Sequence, residues 1–206
     1  MDTTPGFDRS LYLHVNAFAR HTGWLHEPAR LYADYGVVLF ALLLLVSWWR
    51  ARGLGERAVT RALWSPVAVL IAVGLNQPLV HRIGEARPFT VFPAALVLVH
   101  RSTDGAFPSD HATMAGAVLA AVLLSTWHGE RGRGARTLGI VTAVLAVLMA
   151  FVRVYVGVHF PLDVVAGLAL GALVAVPVVL AMGALSRPLV RRLERTQLRP
   201  LFTTAA

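Results

Sequence analysis

Five apolar stretches run through the chain, at residues 31–49, 62–80, 111–127, 137–155 and 162–185, parted by short segments where Arg, Gly and Pro collect. Each is close to the roughly 20 residues that an α-helix needs to cross a bilayer. The pattern predicts an all-α protein, a polytopic membrane helix bundle with about five spanning helices. The first stretch ends on Trp48-Trp49, an aromatic pair suited to a membrane surface. The second carries Pro66, Asn76, Gln77 and Pro78, so its far end is expected to be irregular and packed inside protein. Residues 89–99 are apolar but short and contain Pro93. They read as a re-entrant or surface segment.

The first 30 residues follow another pattern. They lack a basic start, and their apolar run at 11–19 is interrupted by His14 and Asn16, which does not fit a cleavable signal. Leu11, Val15 and Phe18 fit one face of a helix lying in the membrane interface. The expected organisation is an interfacial segment at 1–30, a membrane-embedded bundle at 31–186 and a basic tail at 187–206. Small residues recur in the third stretch (Ala115, Gly116, Ala117) and in the fifth (Gly167 and Gly171), where they allow close helix approach. The Gly-x-x-x-Gly spacing serves packing within one bundle or a homodimer equally well.

Composition supports the membrane reading, since 56% of the residues are hydrophobic. The absence of Cys excludes disulfides and thiolate metal sites. The formal net charge of +8 comes with no Lys at all. Such basicity fits a nucleic-acid partner in principle, but these Arg residues stand at the ends of apolar runs. Arg50, Arg52, Arg57 and Arg61 follow the first run, Arg131, Arg133 and Arg136 the third, and Arg187, Arg191, Arg192, Arg195 and Arg199 the last. By the positive-inside rule these three regions are expected to be cytoplasmic. The 81–110 and 156–161 connections then face outward, and no nucleic acid is expected.

That outer face gathers the polar chemistry. Arg153-Val-Tyr-Val-Gly-Val-His159-Phe-Pro-Leu-Asp163 places a cation, an imidazole and a carboxylate where one apolar run ends and the next begins. Pro161 suits the first position of a helix, which puts Asp163 in its first turn, able to orient His159. A His–Asp pair beside an Arg suits a histidine nucleophile attacking a phosphate. Singly, each residue also has an ordinary reading as an interfacial His, a helix-start Asp or a snorkelling Arg. Phe107-Pro-Ser109-Asp110-His111 opens the third run on the same face. Ser109 there is a fitting N-cap, the helix start is an anion site, and His111 is placed to protonate a leaving oxygen. Arg87-Pro88 lies in the outer loop, although Arg-Pro recurs at 187–188 and 199–200. His100 and Asp104 repeat the His–three–Asp spacing, but Ala94 stands where the Arg would be and no span follows. They are left out of the expected site.

At these residues the chain resembles the type 2 phosphatidic acid phosphatase superfamily, which includes lipid phosphate phosphatases and vanadium haloperoxidases. The family pattern is Lys, six residues, Arg-Pro; then Pro-Ser-Gly-His; then Ser-Arg, five residues, His, three residues, Asp. Arg87-Pro88, Pro108-Ser109-Asp110-His111 and Arg153, His159, Asp163 occur in that order. The chain departs from the pattern at Val80 (Lys in the family), Asp110 (Gly) and Val152 (Ser). Its Arg-Pro-Phe and Phe-Pro-Ser-Asp-His-Ala are similar to those of the bacitracin-resistance branch, the undecaprenyl-diphosphate phosphatases.

The resemblance implies a plasma-membrane phosphatase without metal or other cofactor, acting on a lipid phosphate or diphosphate at the outer face. It implies His159 as nucleophile, Asp163 as its orienting partner and His111 as acid and base. Arg87, Arg153, Ser109 and Asp110 would bind phosphate. Arg82 or His81 would replace the absent Lys, and with His100 and Arg101 would hold a second phosphate. Other lipid phosphates as substrates, or a silent lipid-phosphate binder, are the competing expectations.

Overall fold

In the computed structural model, which describes residues 4–126 and 133–204, the chain is helical throughout its membrane region. Helix α1 (Gly6–His21) leads through one 3₁₀ turn into α2 (His26–Ala51). Then come α3 (Glu56–Ile83), the short α4 (Pro88–Val91), α5 (Asp110–Thr126), α6 (Arg133–Tyr155), α7 (Pro161–Leu185) and α8 (Arg187–Leu193). The five expected spans fall within α2, α3, α5, α6 and α7. Trp127 and Arg131, assigned above to the third span and its following link, lie outside the described residues.

Four of these helices are long and apolar enough to cross a bilayer, while α5 is a shorter apolar helix. Its 17 described residues span about 25 Å. It is the central helix of the bundle, packed against α2, α3, α6 and α7. It meets its neighbours through small buried residues, including Ala112, Ala115, Gly116, Ala117 and Ala121. The outer helices instead turn large apolar side chains outward, such as Leu45, Leu70, Val147 and Leu173. Apolar surface outside and small residues within is the arrangement that a lipid solvent favours.

The α5–α7 approach is the closest in the bundle. A Cβ added to Gly171 would overlap the Thr113 carbonyl oxygen, and one on Gly167 would lie 2.6 Å from the Ser109 carbonyl oxygen. Both glycines of the Gly-x-x-x-Gly spacing thus serve packing within this bundle.

One local expectation changes and two gain detail. First, α3 does not become irregular: it runs unbroken through Pro66 and Pro78 to Gly84, whose φ of 60° ends it. The missing N–H at Pro78 weakens one helical bond, but packing of α3 on α5 and α7 holds the helix in line. Second, residues 89–99 form one short turn of helix and then irregular chain. Leu98 N–H donates to the Val156 carbonyl at 3.0 Å, and Asn16 exchanges hydrogen bonds with both backbone groups of Leu96. Third, α1 presents polar groups as well as apolar ones to the bundle. Tyr12 and Asn16 are buried, and buried Asp8 accepts the Leu162 N–H at the start of α7 at 3.0 Å. These bonds tie α1 across the end of the bundle where α5 and α7 begin. At the opposite end α8 and the tail fold back, with Val190 and Phe202 against Ala51, Ala58, Val59 and Ala62.

Candidate functional site

The connection from α6 to α7 is built by one turn. Gly157, at a φ of 87°, reverses the chain, and its carbonyl accepts the Tyr12 hydroxyl at 3.2 Å. His159 follows, and Pro161 starts α7 as expected. Asp163 then sits in the first turn with no exposed surface. Its Oδ2 faces His159 Nδ1 at 3.2 Å and accepts the Phe160 N–H at 2.8 Å. An ionised carboxylate there holds the proton on Nδ1 and leaves Nε2 with its lone pair. His159 is 3% exposed. Burial first, and then the positive charges of Arg153 and Arg87, hold its pKa well below the usual value. The imidazole is therefore neutral at physiological pH, as a nucleophile must be.

The start of α5 is joined to the same place, because the Ser109 N–H donates to the Asp163 carbonyl at 3.0 Å. The Ser109 hydroxyl departs from expectation. It is buried without a hydrogen-bond partner among the described residues and does not cap the helix. Arg153, in the last turn of α6, is also buried, and its Nε has no partner among the described residues. A buried guanidinium and a buried hydroxyl without acceptors are costly. Beside a helix start, with its free N–H groups, they describe a binding place for an anion. His111 lies on the first turn of α5, half-buried, and its ring makes no hydrogen bond among the described residues.

Arg87 completes the cluster differently. Its Nη1 lies 3.4 Å from His159 Nε2 and donates to the Val158 carbonyl at 3.1 Å. Its Nη2 meets Asp104 Oδ1 at 2.9 Å and the Gly105 carbonyl at 3.3 Å, and its Nε donates to the Asp104 carbonyl at 3.1 Å. The Ser102 hydroxyl also donates to Asp104 Oδ1. Burial acts to raise the Asp104 pKa, but the Ser102 hydroxyl and Arg87 together hold it below the usual value. A cavity of about 500 Å³ opens beyond Arg87, lined among others by Glu85, Phe89, Arg101, Thr103 and Asp104.

His159, Asp163, Arg87 and the Ser109 backbone are thus brought into direct contact, with the charge of Arg153 acting on His159. Two expected residues stand apart. Arg82 is exposed on the last turn of α3 and makes no side-chain hydrogen bond among the described residues. The Asp110 carboxylate turns to α3, where Oδ1 accepts from Asn76 at 2.6 Å and Gln77 at 2.8 Å. Asn76 also donates to the Pro108 carbonyl at 3.0 Å, so these two amides hold the segment that opens α5. They had been legible only as polar interruptions of a span. Spacing alone excludes Asp104, which has Ala94 where the Arg would be and no following span, yet it is the ion-pair partner of Arg87.

Comparisons with known proteins give the family of the chain. The model of the PAP2 superfamily matches residues 61–187. Escherichia coli (strain K12) has a putative undecaprenyl-diphosphatase, YbjG, that is 30% identical over 187 residues, covering 90% of this chain and 87% of that protein. The undecaprenyl-diphosphatase BcrC of Bacillus subtilis (strain 168) is 26% identical over 164 residues, covering 80% of this chain and 78% of that one. Among solved structures, a transmembrane PAP2-type phosphatidylglycerolphosphate phosphatase from Bacillus subtilis superposes with a TM-score of 0.62 at 23% identity, over 94% of this chain and 90% of the other. That likeness is one of fold. Since the family model spans more than half of the chain and takes in Arg87, Ser109, His111, Arg153, His159 and Asp163, this multi-pass membrane phosphatase belongs to the PAP2 superfamily.

Proposed function

We propose that the protein hydrolyses undecaprenyl diphosphate to undecaprenyl phosphate at the outer face of the plasma membrane, through a phosphohistidine. The observation that carries this reading is the contact of Asp163 with His159 Nδ1 beside a buried Arg153 whose Nε lacks an acceptor among the described residues. His159 Nε2 attacks the terminal phosphorus, and the bond to the bridging oxygen breaks. His111 gives its proton to that oxygen as undecaprenyl phosphate leaves. The same imidazole then takes a proton from water, and the resulting hydroxide attacks the phosphohistidine to release inorganic phosphate. Arg153, Arg87, the Ser109 hydroxyl and the backbone N–H groups from Asp110 onward stabilise the charge on the transferring group. The Asp110 carboxylate would repel a phosphate, and its contribution is to hold α5 in position. Arg82 is outside the first contacts and would act on the second phosphate only through a long-range field.

What supports the outward orientation is that Arg50, Arg52, Arg57 and Arg61 between α2 and α3, Arg136 near the start of α6, and the Arg residues from Arg187 on after α7 stand at the helix ends away from His159. The diphosphate is preferred because the named relatives, similar along most of their length, are undecaprenyl-diphosphatases. The test is phosphate release by detergent-purified protein in excess EDTA. Undecaprenyl diphosphate and phosphatidate are compared, with His159→Ala as the blank. EDTA-resistant release from the diphosphate is expected. Preference for phosphatidate would move the substrate, and no release from either would remove the phosphatase reading.

A further inference from the structure

Arg87 and Arg153 differ in one respect that bears on selectivity. The Arg153 side chain makes no hydrogen bond or ion pair among the described residues, whereas every N–H of Arg87 has a protein acceptor. Arg87 is also the wall between the nucleophile and the open cavity. Its Nη1 faces Val158 and His159, and its Nη2 and Nε face Asp104 and Gly105, which line that cavity. A phosphate can reach this guanidinium only by displacing an acceptor.

Three of those acceptors are backbone carbonyls at residues 104, 105 and 158, held by the chain itself. The Asp104 side chain is the movable one. It is 36% exposed, against 8% for Arg87, so it can swing into the water of the cavity. It is also the acceptor that a phosphate would repel, since both are anions.

Building on the phosphatase reading, we propose that Asp104 is a specificity-determining residue: its carboxylate occupies Arg87 and admits only an anion able to displace it. A terminal phosphate monoester or diphosphate is dianionic and offers three oxygens. It can use the open Arg153 and still outcompete one carboxylate on Arg87. A phosphodiester carries a single charge and only two free oxygens. This distinction matters in a membrane, where diester headgroups surround the protein in great excess over any substrate. An Arg pair left open to them would be filled with the wrong ligand. Asp104 excludes them by occupying the guanidinium, which a singly charged anion with two free oxygens does not win from it, and the Ser102 hydroxyl and Arg87 hold it ready for that role.

The experiment measures inhibition of lipid-phosphate hydrolysis by two probes, orthovanadate and dioctanoyl phosphatidylglycerol. The parent, Asp104→Asn, Asp104→Glu and Ser102→Ala are compared, and thermal unfolding reports on folding. For the parent, vanadate should inhibit well and the diester poorly. In Asp104→Asn the inhibition constant for the diester should fall about tenfold, the scale of one lost charge-assisted contact. Asp104→Glu should keep the parent's discrimination. Ser102→Ala, which frees the carboxylate without removing it, should move the same way as Asp104→Asn by less, and serves if that variant does not fold. An unchanged diester-to-vanadate ratio in folded Asp104→Asn or Ser102→Ala would overturn the proposal while leaving the phosphatase intact. Weaker binding of both probes would overturn it too, by making Asp104 a simple support for Arg87. A parent that neither hydrolyses a lipid phosphate nor responds to vanadate would instead remove the reading on which it rests.

Discussion

Asp163 Oδ2 holds His159 Nδ1 at 3.2 Å while accepting the Phe160 N–H at 2.8 Å, so one carboxylate oxygen fixes both the imidazole and the turn that carries it. An Asn whose oxygen takes that place keeps both bonds but brings no negative charge to the imidazole as it becomes positive during attack. An Asn whose NH2 group takes it loses the Phe160 bond and turns an N–H toward Nδ1, so His159 carries its proton on Nε2, the atom that must attack. By either route Asp163→Asn should lower kcat on the order of a hundred- to ten-thousand-fold with little change in unfolding temperature. Near-normal turnover would mean that Asp163 neither orients nor stabilises the nucleophile.

His159 also makes a prediction about pH. Its folded pKa lies well below the usual value because of burial and the two neighbouring Arg charges. As pH falls through about 6.5, the unfolded chain takes up a proton here that the folded protein refuses. The stabilisation is present above that pH and is lost below it, by up to about 1.4 kcal/mol per pH unit. His159→Gln should flatten this part of the unfolding profile between pH 6.5 and 5 in phosphate-free buffer. Parallel profiles for parent and variant would show that His159 is protonated in the folded state.

Two arginines separate the ends of the bundle. Arg153 ends α6 beside His159, and Arg187 begins α8 at the far end of α7. Arg153→Ala should reduce kcat/KM by at least a hundredfold, as for the loss of a strong electrostatic contact to the transferring group. Arg187→Ala should leave it within about twofold. A large loss in Arg187→Ala would place the phosphate at the Arg-rich end instead.

The closeness of α5 and α7 is testable through stability. Gly171 leaves no room for a Cβ against the Thr113 carbonyl. Gly171→Ala should destabilise the purified protein by about 1–3 kcal/mol, the usual scale of overpacking. Activity should fall as well, because the shift moves Ser109 and His111 relative to Asp163. A stability unchanged from the parent would mean that the helices separate without cost.

Much of this molecule was written locally in the chain. Long apolar runs mark helices in lipid whatever their neighbours, because a spanning segment must satisfy its own backbone. The Arg153–His159–Asp163 spacing worked in the same way, since Pro161 starts a helix and a residue in its first turn can reach back to the turn before it. What the tertiary structure decided were pairings between distant segments. The Pro78 region stayed helical because α5 and α7 support it. Asp110 turned toward Asn76 and Gln77, more than 30 residues earlier in the chain. Arg82 was left exposed, Ser109 kept its hydroxyl free, and α1 crossed the end of the bundle with Asp8 at the start of α7. Asp104 could not be matched to Arg87 by spacing, since no helix or strand relates the two. Contacts of this kind depend on how the helices and loops pack in space, which a pattern of neighbouring residues does not encode.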